Sequence, residues 1–186
     1  EKTFDWIRFY SHYGIDFVKK SGTNPGCECF HCGEEKLFIE PQTGVYVCKL
    51  CGHSGNNITF IRQLHDKHKY VKGMPVNLIK KLAKAKNIPA STLVRFGVVE
   101  FDNKVWLPVY NRKDKLIGLR NYNFSENKIF NPPGFCEPNF WSVLDPSYPY
   151  YIFEADFDAL AFLRMRDIAQ QQINVVALPG INLKND

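Results

Sequence analysis

Two cysteine pairs near the start of the chain constrain its fold more than any other feature. Cys29 and Cys32 form the first pair, Cys48 and Cys51 the second, and the spacing is C-x2-C-x15-C-x2-C. This spacing is typical of a zinc site with four thiolate ligands. Four protein ligands complete a tetrahedral shell and leave no position for a substrate, so we expect a structural metal. The pattern predicts a small module held together by zinc.

Three neighbouring side chains are alternative zinc ligands. Cys27 is the most credible substitute, although the spacing of Cys27 and Cys29 is too short for the usual metal-binding turn. His31 and His53 also lie close to the cysteine pairs. Histidines at such positions are more often exposed turn residues than ligands, and in a functional role they would contact phosphates or base edges. We assign the zinc to Cys29, Cys32, Cys48 and Cys51.

Length, composition and charge narrow the class of protein. The 186 residues allow one large domain or a small and a medium one, and an apolar content of 45% is enough for an ordinary core. A net charge of +5 permits a polyanionic partner without requiring one. We find no apolar run of membrane-spanning length and no signal-peptide pattern, so we expect a reducing, cytoplasmic location and no membrane partner. Because the chain begins at Glu1, we expect it to be a piece of a longer protein.

The zinc module is predicted to occupy residues 1–68. Aromatic residues recur at helical spacing near its start and predict a helix that packs on the zinc ribbon: Trp6, Phe9, Tyr10, Tyr13 and Phe17. Residues 36–40 and 45–47 predict a hairpin between the cysteine pairs. Asn56 and Asn57 predict the cap of a second amphipathic helix.

Residues 69–145 predict two short helices followed by an antiparallel meander. Helical patterns cover residues 78–86 and 89–97, and strand patterns cover 98–101, 104–110, 116–122 and 128–130. Arg120, Asn121, Lys128 and Asn131 come from neighbouring strands and are expected to share one face. Such a face suits phosphates and bases, although an ordinary exposed meander carries similar residues.

Residues 146–186 predict a strand, a helix and a second strand over 150–153, 157–168 and 173–178. This is a βαβ unit and implies a parallel sheet, in which functional groups gather at the carboxyl ends of the strands. Glu154, Asp156 and Asp158 fall at that end. Three clustered carboxylates favour Mg²⁺, whereas the alternative is that acidic residues simply cap the helix N-terminus.

The order of these parts resembles DNA primases of the bacterial and phage type, including the primase portions of phage primase–helicases. Cys48-x2-Cys51-Gly52-x2-Gly55, followed by Asn57-Ile-Thr-Phe-Ile61, resembles the end of the primase zinc domain. Val105-Trp-Leu-Pro-Val-Tyr110, followed by Ile117-Gly-Leu-Arg120, resembles the N-terminal lobe of the RNA-polymerase domain. Glu154-Ala-Asp-Phe-Asp158 resembles the first Toprim motif, Glu-Gly-x-x-Asp, and Val175-Val-Ala-Leu-Pro-Gly180 the next Toprim strand and turn. The likeness covers nearly the whole chain.

The resemblance implies an α+β fold in which an N-terminal zinc ribbon with helices precedes a mixed α/β lobe and the first βαβ unit of a Toprim domain. It implies boundaries of 1–68, 69–145 and 146–186. It also implies synthesis of short RNA primers on single-stranded DNA from ribonucleoside triphosphates, next to a replicative helicase that can be fused C-terminally. Structural zinc and catalytic Mg²⁺ or Mn²⁺ are the implied cofactors.

The resemblance also assigns roles to individual residues. Glu154 matches the catalytic glutamate and Asp158 its accompanying aspartate, with Asp156 as a further candidate. The remaining candidates would contact template or nucleotide: Arg120, Lys128, Asn131, His31 and His53. Two departures stand out. Ala155 replaces the usual glycine, and the Asp-x-Asp motif that would complete the metal site is expected after Asp186.

Two other functions remain open at this stage. A zinc ribbon with a basic lobe could bind single-stranded DNA or dock a helicase without polymerising. A different Toprim enzyme, a topoisomerase or a nuclease, is the second alternative. A topoisomerase needs a nucleophilic tyrosine in a separate domain, and no tyrosine here is clearly placed for that.

Overall fold

The computed structural model describes residues 4–18, 25–71, 74, 76–168 and 172–179. The chain folds as a mixed α+β protein in two compact units. The first comprises Glu1–Gln63 with Pro132–Phe135, and the second comprises Leu64–Asn131 with Cys136–Asp186. The predicted boundaries at residues 68 and 145 remain predictions, and Gly180 of the predicted Pro-Gly turn lies outside the described residues.

The first unit is built on a five-stranded antiparallel sheet in the order β1-β2-β3-β4-β5. Its strands are β1 (Phe17–Val18), β2 (Gly26–Cys27), β3 (Leu37–Ile39), β4 (Tyr46–Cys48) and β5 (Ser54–Gly55). Helix α1 (Trp6–His12) precedes the sheet, and α2 (Asn57–His68) follows it and continues into the second unit. The Asn56 carboxamide caps α2, since its Oδ1 accepts from the Thr59 backbone N–H at 3.0 Å.

An aromatic core joins α1 and α2 to the sheet. Phe9, Tyr10 and Tyr13 are buried, and Tyr10 packs edge-to-face against Phe60 with ring centroids 5.1 Å apart. The expectation that the aromatic face of one helix extends to Phe17 is wrong. Helix α1 ends at His12, Gly14 adopts a positive φ of 84°, and Phe17 pairs with Cys27 in the sheet. Glycine takes this φ without the steric penalty of a Cβ and reverses the chain there.

The second unit contains the predicted meander. Strands β6 (Val99–Phe101), β7 (Lys104–Tyr110), β8 (Leu116–Asn123) and β9 (Lys128–Phe130) form an antiparallel sheet in sequence order. Helices α3 (Asn77–Lys86) and α4 (Ala90–Arg95) precede it. The core between helices and sheet includes Ile79, Leu82, Leu93, Val105 and Leu107.

The strand register corrects one expectation about this sheet. Asn121 pairs with Phe130, and Asn123 pairs with Lys128. Because successive side chains point to opposite faces of a strand, Lys128 and Asn121 lie on one face while Arg120 lies on the other. Arg120 therefore shares the face of Tyr122, a residue of the hydrophobic core.

A second sheet of this unit contains the predicted βαβ motif. Strands β11 (Tyr150–Phe153) and β12 (Asn174–Ala177) are parallel neighbours, and α5 (Asp156–Ile168) connects them. A short strand, β10 (Asn139–Phe140), adds antiparallel to β12 and was not predicted. The sheet order β10-β12-β11 leaves β12 in the centre, where all four of its residues are buried. Among the described residues, no helix is both long and apolar enough to cross a membrane.

Candidate metal centre and catalytic edge

The sulfur atoms of Cys29, Cys32, Cys48 and Cys51 converge, and all lie within 4.8 Å of one another. The Sγ–Sγ distances are 3.9 Å for Cys29 and Cys51 and 3.8 Å for Cys32 and Cys48. Zinc–sulfur bonds of about 2.3 Å at tetrahedral angles require sulfur separations of about 3.8 Å. The cluster therefore fits a four-thiolate zinc site.

Each cysteine pair lies on a tight turn that a glycine completes. Gly33 N–H donates to the Cys29 carbonyl at 2.8 Å, and Gly52 N–H donates to the Cys48 carbonyl at 3.0 Å. Both glycines have positive φ, 79° and 71°. Backbone N–H groups of Cys51 and Leu50 lower the pKa of the Cys48 thiol to about 7. A thiolate is the form that binds metal, so these backbone donors favour the metal-binding form of Cys48.

Cys27 lies outside this cluster. It is buried in β2 opposite Leu37, and burial raises the pKa of its thiol to about 12. A buried neutral thiol behaves as a small apolar side chain. Cys27 thus packs in the sheet of the first unit, and the sulfurs that converge are the four of the C-x2-C pairs. Cys136 is exposed.

His31 and His53 form a stacked pair beside the cysteine cluster. Their ring centroids are 4.7 Å apart with an interplanar angle of 10°. His53 Nε2–H donates to Gln63 Oε1 at 3.0 Å, and its ring also packs edge-to-face on Phe30. His31 is exposed. The pair offers a fixed aromatic surface with a free outer face at His31, which suits stacking on a base.

Glu154 and Asp158 are exposed at the carboxyl end of β11, whereas Asp156 is buried. Glu154 follows the last residue of the strand, and Asp158 lies in the first turn of α5. In the part of the chain that the structure describes, only the four cysteines bring three or more potential metal ligands together. The predicted cluster of three carboxylates is therefore reduced to two exposed ones.

Asp156 is instead bound to Arg120. The Arg120 Nη1–Asp156 Oδ2 distance is 2.7 Å, and both side chains are almost fully buried. Arg120 also donates from Nη2 to the Glu137 carbonyl. Asn139 and Trp141 each donate to Asp156 Oδ1 at 2.9 Å. Asn139 and Trp141 were not among the predicted site residues, because residues 136–145 carry no periodic pattern from which their contacts could be predicted.

Lys128 and Asn131 remain accessible to different extents. Lys128 is exposed at the start of β9, whereas Asn131 is partly buried, and its Oδ1 is buried with no hydrogen-bond partner among the described residues. Helix α3 adds positive charge nearby in the fold, with Lys86 Nζ 5.0 Å from the Tyr122 ring centroid and 4.9 Å from that of Phe157. Lys86 thus places its charge over two aromatic rings in a cation–π arrangement.

Comparisons with known proteins complete the description of the site. No protein-family profile and no curated protein matches this chain. Among solved structures, the chain is similar to the zinc-binding and RNA polymerase domains of the Aquifex aeolicus primase, at 15% identity and a TM-score of 0.43, over 97% of this chain and 65% of that one. It is also similar to the primase fragment of the bacteriophage T7 primase–helicase, at 14% identity and a TM-score of 0.40, over 88% of this chain and 69% of that one.

A third similar structure shows bacteriophage T7 lagging-strand DNA polymerase interacting with primase domains bound to an RNA/DNA hybrid and dTTP. The identity is 12% and the TM-score 0.43, over 88% of this chain and 68% of that one. The chain thus spans about two thirds of the length of each of these structures.

Proposed function

We propose that this chain is the zinc-binding and N-terminal catalytic part of a DNA primase, which synthesises short RNA primers on single-stranded DNA. The observation that carries the proposal is the parallel pairing of β11 and β12, with Glu154 exposed at the carboxyl end of β11 and Asp158 exposed in the first turn of α5. Catalytic groups of α/β sheets gather at this edge. The zinc cluster, which precedes this unit in the chain, supports the proposal.

Glu154 and Asp158 are the residues that would hold Mg²⁺ or Mn²⁺, since hard cations prefer carboxylate oxygens. Bound there, the metal would supply charge neutralisation at the phosphates and a lower pKa of the attacking hydroxyl. In this proposal Glu154 would also accept a proton at its exposed carboxylate. An Asp-x-Asp motif later in the protein would complete the set.

The nucleic-acid contacts would come from both units. Lys128 and Asn131 would contact phosphates of the template or the incoming ribonucleotide, and His31 and His53 would contact template bases. Arg120 and Asp156 were predicted to contact phosphate and metal. Because the two side chains are buried against each other, those contacts would require their ion pair to open. A helicase remains the partner that the resemblance implies.

The test is primer synthesis by the full-length protein carrying Glu154→Gln. We expect synthesis to fall by about a hundredfold or more, because this carboxylate would hold the metal that offsets negative charge in the transition state. Glu126→Gln is the matched control, because Glu126 is an exposed glutamate that contacts Asn123 at the end of the meander. Unchanged synthesis in Glu154→Gln would remove the catalytic assignment.

A non-catalytic role in binding single-stranded DNA is the second candidate. The specific observation in its favour is Ala155, which stands where the resembled motif has glycine. A methyl group after the strand could restrict the turn that presents Glu154. This candidate predicts salt-sensitive binding of single-stranded DNA by the wild-type protein with no primer synthesis.

A further inference from the structure

The buried ion pair between Arg120 and Asp156 is a polar feature of the second unit that the proposed chemistry does not use. Arg120 is 1% exposed at its side chain and Asp156 3%. An ion pair so deeply buried is weak evidence for added stability, because desolvation opposes the attraction between the charges. Breaking such a pair is nevertheless costly, since it leaves one charge unpaired. The pair therefore enforces one arrangement of the elements that carry it.

The pair joins β8 of the meander sheet to helix α5, which follows β11 of the other sheet. Arg120 lies in β8, and Asp156 is the first residue of α5. The second carboxylate oxygen, Asp156 Oδ1, accepts from Asn139 Nδ2 and Trp141 Nε1, each at 2.9 Å. Both oxygens of Asp156 are thus occupied by donors from outside its own helix.

Asn139 extends the network to β7. Its Nδ2 also donates to the Pro108 carbonyl at 2.7 Å, and its Oδ1 accepts from the Tyr110 backbone N–H at 2.9 Å. The pairing of β7 with β8 shifts register between Val109 and Tyr110, so the N–H of Tyr110 is available there. The carboxamide of Asn139 is fully buried and fits this irregularity. Through these hydrogen bonds the Asp156 carboxylate is connected to β7, β8 and β10.

Asp156 lies between the two exposed carboxylates in sequence. We propose that Asp156 and Arg120 are positioning residues, which fix the turn carrying Glu154 and Asp158 against the meander sheet and neither bind the metal nor grip phosphate. The meander carries Lys128 and Asn131, so the same network sets the distance between the nucleotide contacts and the metal-binding carboxylates. This inference rests on the proposed primase function.

The test compares Asp156→Asn, Arg120→Gln and the double variant in the full-length protein. We expect each single variant to lower the rate of primer synthesis by about 10–100-fold, the usual effect of removing a group that orients ligands. The double variant is expected to recover at least part of that loss, because a neutral pair leaves no unpaired buried charge. Its half-saturating Mg²⁺ concentration should stay within about twofold of the wild type, whereas Asp158→Asn should raise it.

A direct metal role for Asp156 predicts the opposite pattern. The double variant would then be as inactive as Asp156→Asn and would require more Mg²⁺, and that result would overturn the inference. If a single variant does not fold, the Mg²⁺ requirement of the double variant still distinguishes the two roles. The double variant keeps hydrogen-bonding groups at both positions without the charges.

A second readout does not depend on primer synthesis. The protein has three tryptophans, and the indole N–H of Trp141 donates to Asp156. In ¹H–¹⁵N spectra, with the signal assigned by Trp141→Phe, we expect Asp156→Asn to shift the Trp141 indole peak. In a separate binding measurement, we expect the double variant to bind Mn²⁺ with wild-type affinity. An unmoved peak would refute the network. Wild-type protein that makes no primers would refute the proposed function and leave this measurement valid.

Discussion

Gly44 provides the sharpest test of how the first unit is packed. It lies at the end of the hairpin turn before β4, with φ of 71°. A Cβ at this position would lie 2.3 Å from Cδ2 of Trp6 and within 2.7 Å of two further indole atoms. The Gly44 carbonyl also accepts a 2.7 Å hydrogen bond from the Tyr10 hydroxyl. Gly44→Ala therefore places a methyl group where helix α1 docks on the hairpin.

The expected loss has two parts. A non-glycine residue at this φ costs about 1–2 kcal/mol. Forcing a methyl group into a rigid ring adds about 1–3 kcal/mol for overpacking. Trp6 has little room to retreat, because Phe4 and Phe9 pack on it at centroid distances of 4.3 Å and 5.7 Å. We expect Gly44→Ala to lower the free energy of unfolding by about 2–5 kcal/mol in total.

Gly52→Ala is the matched control. Gly52 has the same φ of 71°, but no atom of the described residues lies within 4 Å of its added Cβ. It should lose the backbone part, about 1–2 kcal/mol, and its zinc content is measured as well because Gly52 completes a metal-binding turn. Urea denaturation of both variants at one fixed free zinc concentration measures the difference, since zinc binding is linked to folding. When Trp6 is also replaced by leucine, Gly44→Ala and Gly52→Ala should lower the free energy of unfolding by similar amounts. Equal losses from the two variants while Trp6 is still present would refute the packing argument.

Two further predictions concern the zinc cluster and the buried histidine. Cys27→Ser should keep one zinc per chain and the thiolate-to-metal absorption of the Co²⁺-loaded protein, whereas Cys51→Ser should lose both, because the sulfur of Cys51 belongs to the four-cysteine cluster and that of Cys27 does not. Zinc loss from Cys27→Ser would contradict this. Burial lowers the pKa of His65, whose Nε2–H donates to the Gly97 carbonyl at 2.7 Å. Above pH 6.5, the pKa of this side chain in the unfolded chain, His65 is neutral in both the folded and the unfolded state. As the pH falls below 6.5, the unfolded chain binds a proton first, so the free energy of unfolding decreases until the pH reaches the lower pKa of the folded state. His65→Gln should flatten this dependence in urea midpoints measured from pH 7.5 to 5, although His68, whose pKa is also lowered by burial, keeps part of it; an unchanged slope would contradict the assignment.

The elements that sequence predicts well are those with a local signal. The meander strands and α3 agree with their predicted ranges within a residue or two because alternation, helical spacing and turn residues lie within each segment. Asp102 and Asn103, both with φ near 50°, supply the tight turn between β6 and β7. Strands β1, β2, β5 and β10 were not predicted, since two residues carry no period and become a strand only through their partners.

The candidate site also combines a feature that a local sequence pattern predicts with contacts that depend on the tertiary structure. The cysteine spacing is a local pattern, and the four sulfurs converge as that spacing predicts. The stacking of His31 on His53 and the pairing of Arg120 with Asp156 join residues far apart in sequence. Neither contact could be predicted without knowing how the strands and helices are arranged. The expectation that Arg120 and Lys128 share a face failed for this reason.

The different fates of Asp156 and Asp158 nevertheless follow from helix geometry. Residues two apart in an α-helix point about 200° from each other, so two aspartates with this spacing cannot both face the core. Ala159 and Leu160 lie three and four residues after Asp156, and both are fully buried. Positions three and four apart share a helix face, which places Asp156 on the buried side and Asp158 on the solvent side. A buried carboxylate requires hydrogen-bond donors, and in the structure Arg120, Asn139 and Trp141 supply them. Burial in the fold separates the structural aspartate from the candidate metal ligand, because Asp158 is followed at the same spacing by the apolar Ala161 and Phe162, which are only partly buried.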